Sequence, residues 1–249
     1  MAFTCIGFVA CNGDEDEPDV KFNDVTLTCN ETYSIKNGTG VEWRSSNELI
    51  ASVSGNVVTA GCIGEAVISS TKGSFKVTVK GTIGNVYQIP CLNWGASKST
   101  VKSFMKGRTI EEETSTDLVY AGSGAEICTM YSFENSKLSS SSIALDGDYI
   151  NSENLIYFLL ERYVPLSYDE DNYYFYFTTP DLETGVVLAL AEYSGTLVYL
   201  IVYVPISENS RSMNINSLDK FDWTQLNNYG IKKSVNVKGQ FEEIKNLLD

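Results

Sequence analysis

Apolar and polar positions alternate along this chain in two different rhythms, and the change between them falls near residue 81. Across residues 41–80 the strand-type residues Trp43, Ile50, Val53, Val57 and Ile68 stand in short stretches. Polar turns at Ser45-Ser46-Asn47, Ser54-Gly55-Asn56, Gly61 and Lys72-Gly73 separate them. This spacing predicts a sandwich of short strands. Its last two antiparallel strands fall at residues 66–70 and 74–79, with Phe75, Val77 and Val79 turned inward and a two-residue Lys72-Gly73 turn between them. An earlier strand is predicted at residues 25–28.

From residue 85 onward helical periodicity enters. Ser97 or Ser99 is placed to cap a short helix with Val101, Phe104 and Met105 on one face and Gly107 as its stop. Strands are predicted at residues 118–121, 126–133 and 138–145. The order then recurs: Asn151 or Ser152 caps a helix carrying Leu155, Ile156, Leu159, Leu160 and Tyr163 on one face, and Pro165 is expected to terminate it. Strands follow at residues 173–178, 186–193 and 197–204, with turns at Pro180-Asp181 and Ser194-Gly195. The two units repeat at an interval of about 55 to 60 residues. Each is predicted as αβββ, and together they predict an antiparallel sheet with both helices on one face. At the level of topology this resembles the tandem-repeat fold of the beta-lactamase inhibitor protein, but no motif carries an inhibitory activity across. The tail from residue 206 is polar up to an amphipathic helix at residues 241–248, expected to dock on the sheet.

In the first region the residues themselves carry a family likeness. A tryptophan (Trp43) precedes a Ser-Ser-Asn turn (Ser45, Ser46, Asn47), an Ile-Ala-Ser-Val strand (Ile50, Ala51, Ser52, Val53), a Gly-Asn-Val-Val-Thr-Ala hairpin from Gly55 to Ala60, and a Gly-x-Ala-x-Ile strand (Gly64, Ala66, Ile68). This run resembles a bacterial immunoglobulin-like domain of group 2, departing from it at Cys29 and Asn30, where Val-Gly is usual. The resemblance implies an all-β immunoglobulin-like sandwich that serves as a spacer or recognition module at a cell surface.

The amino terminus adds an address. Residues 1–11 are uncharged and largely apolar, and Phe8-Val9-Ala10-Cys11 resembles a lipoprotein lipobox, which makes Cys11 the lipid-attached residue. The acidic run at residues 14–17 cannot collapse into a core and suits a solvated tether. Acids directly behind such a cysteine resemble the export signal of Bacteroidetes-type lipoproteins, implying a surface-exposed outer-membrane lipoprotein held to the membrane only by its lipid. The competing reading takes residues 1–10 as a buried first strand. No basic residue precedes Cys11, as a signal peptide would ordinarily have.

Four parts result: a signal remnant and acidic tether at residues 1–18, the immunoglobulin-like domain at 19–81, the α+β tandem-repeat domain at 85–205, and a polar extension at 206–249. Gly81-Thr82-Ile83-Gly84 is read as the hinge between the folded parts.

Charge and composition narrow the chemistry. A net charge of -14 disfavours nucleic acid, whose binding draws on Lys and Arg contacts to phosphate. The chain has no histidine, which excludes Ser-His-Asp and Cys-His hydrolysis and every histidine-ligated metal site. Its six cysteines include no C-x-x-C pair, and Cys29 and Cys62 are read either as a disulfide or as two buried thiols. No cofactor, metal or catalytic residue is assigned. The cluster from Tyr173 to Phe177 sends Tyr174 and Tyr176 to one strand face, making them the candidate ligand-facing aromatics for a glycan or protein partner. Carboxylates at residues 111–113, 146, 148 and 169–171 are placed in loops, and Trp94 is read as a buried anchor. A lipid-anchored surface binding or adhesion protein is the expected function. The alternatives are a carboxylate-only hydrolase acting on polysaccharide, or an envelope inhibitor or assembly factor.

Overall fold

The computed structural model describes residues 22–206, 231–233 and 237–248. Among these residues the chain is mostly β-sheet, arranged as three separate sheets with three helices.

The first seven strands are β1 (Val25–Thr28), β2 (Thr32–Ser34), β3 (Arg44–Ser45), β4 (Ala51–Ser54), β5 (Val57–Ala60), β6 (Gly64–Ser70) and β7 (Gly73–Lys80). They form one sheet in the order β1-β7-β6-β3, with β1 parallel to β7, and another in the order β2-β5-β4. Strict alternation on β7 turns Phe75, Val77 and Val79 into the space between the sheets, where they meet Leu27, Ile35, Val58 and Ile68. Trp43 sits in the same core at 6% exposure. Its ring meets Phe22 edge-on at 5.0 Å, and its indole N–H donates to the Gly38 carbonyl at 2.9 Å, so burial leaves no polar atom unpaired. The turn between β6 and β7 is Thr71-Lys72, one residue earlier than predicted, because Ser70 pairs with Gly73. The short strands β2 and β3 had no sequence signal of their own.

The larger sheet starts after residue 84. Helix α1 (Lys98–Phe104) leads to β8 (Ile110–Glu113), β9 (Asp117–Ala121), β10 (Glu126–Glu134) and β11 (Lys137–Asp146). Helix α2 (Ser152–Leu160) leads to β12 (Val164–Asp169), β13 (Tyr174–Thr178), β14 (Thr184–Tyr193) and β15 (Thr196–Pro205). Each unit therefore holds four strands after its helix, not three. The sheet order is β12-β13-β14-β15-β11-β10-β9-β8, with β16 (Ile231–Lys233) paired to the end of β14. The two strands missing from the prediction, β8 and β12, are the outermost ones. Nothing on them alternates: all four residues of β8 are exposed, and β12 carries Pro165, whose lack of an N–H is tolerated on an edge. Pro165 accordingly does not terminate α2, which has already ended at Leu160.

Both helices lie on one face, as expected. Ser141 pairs with Tyr131 on one side and Tyr203 on the other, so these residues share a face. Tyr131 packs with Val101 and Met105 of α1, and Tyr203 with Leu155, Ile156, Phe158 and Leu159 of α2. Phe104 is a correction: it is 48% exposed, since only Val101 and Met105, four residues apart, point at the sheet. The tail helix α3 (Lys238–Leu248) docks as predicted, stacking Phe241 on Phe175 with ring centroids 4.6 Å apart. The opposite face is buried as well. Met130, Ala144, Val187, Leu200 and Val202 form a second apolar layer there. That is why β14 and β15 read as continuous apolar runs rather than alternating ones.

Candidate functional site: a cleft at the end of helix α2

Helix α2 begins in a well-formed cap, with the Asn151 side chain accepting from the Asn154 N–H at 2.8 Å. Its other end points toward the N-terminal sheets. A helix C-terminus carries partial negative charge and normally attracts a cation, yet the residue here is Glu161. Glu161 is 8% exposed, and its carboxylate is held by donors from the segment predicted as a hinge. The Thr82 N–H (2.7 Å), the Thr82 hydroxyl and the Ile83 N–H (3.1 Å) all donate to it. Arg162 adds an ion pair at 3.8 Å. The Glu161 carbonyl accepts from the Ile63 N–H at 2.7 Å, and the Asn47 side chain donates to the Pro180 carbonyl at 3.0 Å. Residues 81–83 are thus clamped to α2. Gly81 allows the close approach, because a Cβ there would lie 2.5 Å from a Glu161 carboxylate oxygen and 2.7 Å from Ile63.

Beside this clamp opens a cleft of about 680 Å³, within the span of about 300 to 1,000 Å³ usual for small-molecule sites. Leu49 comes from the N-terminal sheets, Ile83 from the connecting segment, and Tyr157, Leu160, Val164 and Pro165 from the α2–β12 turn region. Leu49 and Tyr157 are 38% and 40% exposed. Glu48, Asn30, Thr82, Glu161, Tyr163 and the thiols of Cys29 and Cys62 also line it.

Cys29 and Cys62 are free thiols whose sulfurs lie 3.9 Å from the Glu161 carbonyl and 4.0 Å from the Leu160 carbonyl. Burial pushes the Cys62 thiol up to about 11, with the charge of Cys29 adding to it. Cys29 is raised by burial first and by Glu161 second. Both stay protonated near neutral pH, so neither is an activated nucleophile.

Of the residues singled out from sequence, Cys29 and Cys62 line this cleft, and the aromatic and acidic candidates do not. Tyr176 is only 2% exposed and lies within the apolar layer on the second sheet face, and the half-buried Tyr174 packs against that layer. Cys11 lies outside the described residues. Glu111, Glu112 and Glu113 sit on the edge strand β8 rather than in a loop, and Glu113 pairs with Lys102 at 2.7 Å. Asp146 and Asp169 close local turns by accepting from the N–H groups of Asp148 and Asp171, both at 2.9 Å. Trp94 is an anchor, half-buried with its indole N–H donated to the Thr184 hydroxyl at 3.0 Å. Among the described residues no group of three or more acids or cysteines could hold a metal ion, and no helix is long and apolar enough to cross a membrane. The residue that sequence reasoning missed is Glu161. Its signal was available: an acid in the last turn of a helix, against the dipole, marks a carboxylate with a specific partner.

Comparison with protein-family models, curated proteins and solved structures returned no match.

Proposed function

We propose that this chain is a lipid-anchored cell-surface binding protein. An immunoglobulin-like sandwich at residues 19–81 is its spacer, and an α+β body at residues 85–205 bears the recognition surface. The observation that carries this reading is the cleft, which both parts build together and which has no activated group in its lining. The sandwich assignment is supported by two facing sheets closed over Trp43. It is also supported by Asn30, at φ +68, whose left-handed turn conformation is the one glycine adopts most readily and asparagine next. A carboxylate-only hydrolase needs two acids free to face a substrate. Glu161 is instead committed to Thr82 and Ile83, which favours binding over hydrolysis.

Cys11 would carry the lipid, and two or more acyl chains make attachment stable. Cells fed labelled palmitate should label the wild type and not Cys11→Ala. Protease added to intact cells should degrade the wild type while leaving a periplasmic marker untouched. Labelling that survives the substitution overturns the anchor, and full protection from protease overturns the surface location.

A further inference from the structure

We infer that the cleft at the end of α2 selects a small organic ammonium ion with a hydrocarbon or aromatic body. The inference deepens the binding reading above and rests on it. The walls supply the apolar half of the recognition: Leu49, Ile83, Leu160, Val164 and Pro165 line a space large enough for such a body. Tyr157, with its side chain 40% exposed, offers an aromatic face of the kind that attracts cations.

The charged groups of the polar half are the acids Glu48 and Glu161, beside the neutral Asn30, Thr82 and Tyr163. Helix α2 directs its C-terminal end, the negative pole of its dipole, at the cleft. At that end the Leu160 carbonyl faces the Cys62 thiol, a weak donor 4.0 Å away, and the Glu161 carbonyl accepts from the Ile63 N–H at 2.7 Å with the Cys29 thiol 3.9 Å away. Glu48 adds an exposed carboxylate to the lining, and no Lys or Arg lines the cleft among the described residues. Arg162 stands beside the cleft but is already engaged: its guanidinium pairs with Glu161 at 3.8 Å, lies 3.7 Å above the Phe158 ring and donates to the Phe158 carbonyl at 3.1 Å. An anionic ligand would meet a helix C-terminus and the exposed Glu48 carboxylate, with the Arg162 guanidinium already paired to Glu161. An ammonium group meets acceptors on several sides, and the long-range field of a chain with net charge -14 attracts it as well.

Three probes of one shape separate the contributions: hexylammonium, hexanol and hexanoate, titrated into the full ¹⁵N-labelled chain at low salt. Hexylammonium should shift the amides of Leu49, Ile83, Tyr157 and Leu160 and bind about tenfold or more tighter than hexanoate, with hexanol between them. Glu48→Gln, or added salt, should narrow that preference about threefold. Tyr157→Ala should weaken hexylammonium and hexanol together. Equal or tighter binding of hexanoate at the same amides overturns the charge selectivity and leaves the cleft standing as a binding site. If none of the probes moves these amides, both the selectivity and the cleft's role fall. Hexylammonium shifts scattered over surface acids instead would mean general attraction to an acidic protein, and would also overturn the inference.

Discussion

The N-terminal sheet pair and the large sheet solve the same burial problem with opposite economies. In the sheet pair the longer strands have one dry face, so the core is a single layer organised around Trp43 and Phe75, whose ring centroids are 5.9 Å apart. The centre of the large sheet is dry on both faces: Leu200 and Ile201, adjacent on β15, are both fully buried though they point in opposite directions. One region therefore depends on a few large side chains, and the other spreads its stability over two layers. The comparison teaches that the two parts should fail separately, and that the clamp at Glu161 is what makes one register the failure of the other.

The largest expected effect comes from charging the centre of the large sheet. Ile201→Asp would strand a carboxylate among Ile143, Leu188 and the α2 side chains, and should cost about 4 kcal/mol or more, enough to unfold residues 85–205. Hydrogen exchange should show slow amides surviving in β6 and β7 while those of β14 and β15 are lost. Collapse of protection in both regions at once would erase the contrast between them.

Trp43→Ala is the converse cut. Removing the ring opens a cavity beneath Phe22 and Phe75 and should cost about 3 to 5 kcal/mol, the span for large aromatic truncations in cores. Proteolysis should then begin within residues 22–80, with the large sheet persisting as a resistant fragment.

Alkaline pH separates the regions by chemistry instead of mutation. The hydroxyls of Tyr87 and Tyr163 both bond to that of Tyr203, at 2.6 and 3.2 Å, in the core beneath α2. Burial raises all three phenols above their ordinary value of 10.0. A phenol held neutral by the fold binds its proton more tightly folded than unfolded, so its contribution is complete below about pH 10 and falls away as pH rises further. The same sign holds at the cleft for Cys62, over the window from 9.0 to about 11. Tyrosinate absorbance at 295 nm should show a late group of tyrosines appearing only as the far-ultraviolet signal of the large sheet is lost. A single smooth titration on an intact fold would show that these phenols are accessible.

How far the sequence anticipated this depends on the same contrast. Where a strand has one wet face, period-two alternation is visible, and β7 was legible down to the inward turn of Phe75, Val77 and Val79. The two-helix repeat was legible because caps and apolar stripes are local: Ser97 and Asn151 do cap α1 and α2. Edge strands were not, because β8 is Ile-Glu-Glu-Glu with no buried face and β12 begins with a Val-Pro that reads as a helix stop. Tyr174 and Tyr176 looked like ring platforms because a sheet with helices on one face is expected to leave the other wet. Continuous apolar runs on β14 and β15 were the sign that it is not. The cleft was invisible for a different reason: its lining comes from residues more than a hundred positions apart, and bonds such as those of Thr82 and Ile63 to Glu161 bring Leu49 near Tyr157.

The clamp gives the smallest effect and the most discriminating one. Glu161→Ala leaves the Thr82 and Ile83 N–H groups without their acceptor in a half-buried site, which should cost about 1 to 3 kcal/mol. Glu161→Gln keeps a carbonyl oxygen for Thr82 and should cost less. Neither touches the Trp43 core or the tyrosine cluster, so each region should keep its own melting behaviour while the coupling between them weakens. In scanning calorimetry a single transition in the wild type should split or broaden in the alanine variant and recover in the glutamine variant. Gly81→Ala should mimic the loss, because its new methyl would press on Glu161 and Ile63 from the other side. If the alanine variant melts as the wild type does, the bonds at Glu161 merely accompany a junction held by the apolar contacts of Ile83 and Leu160, and the two regions are coupled by packing alone.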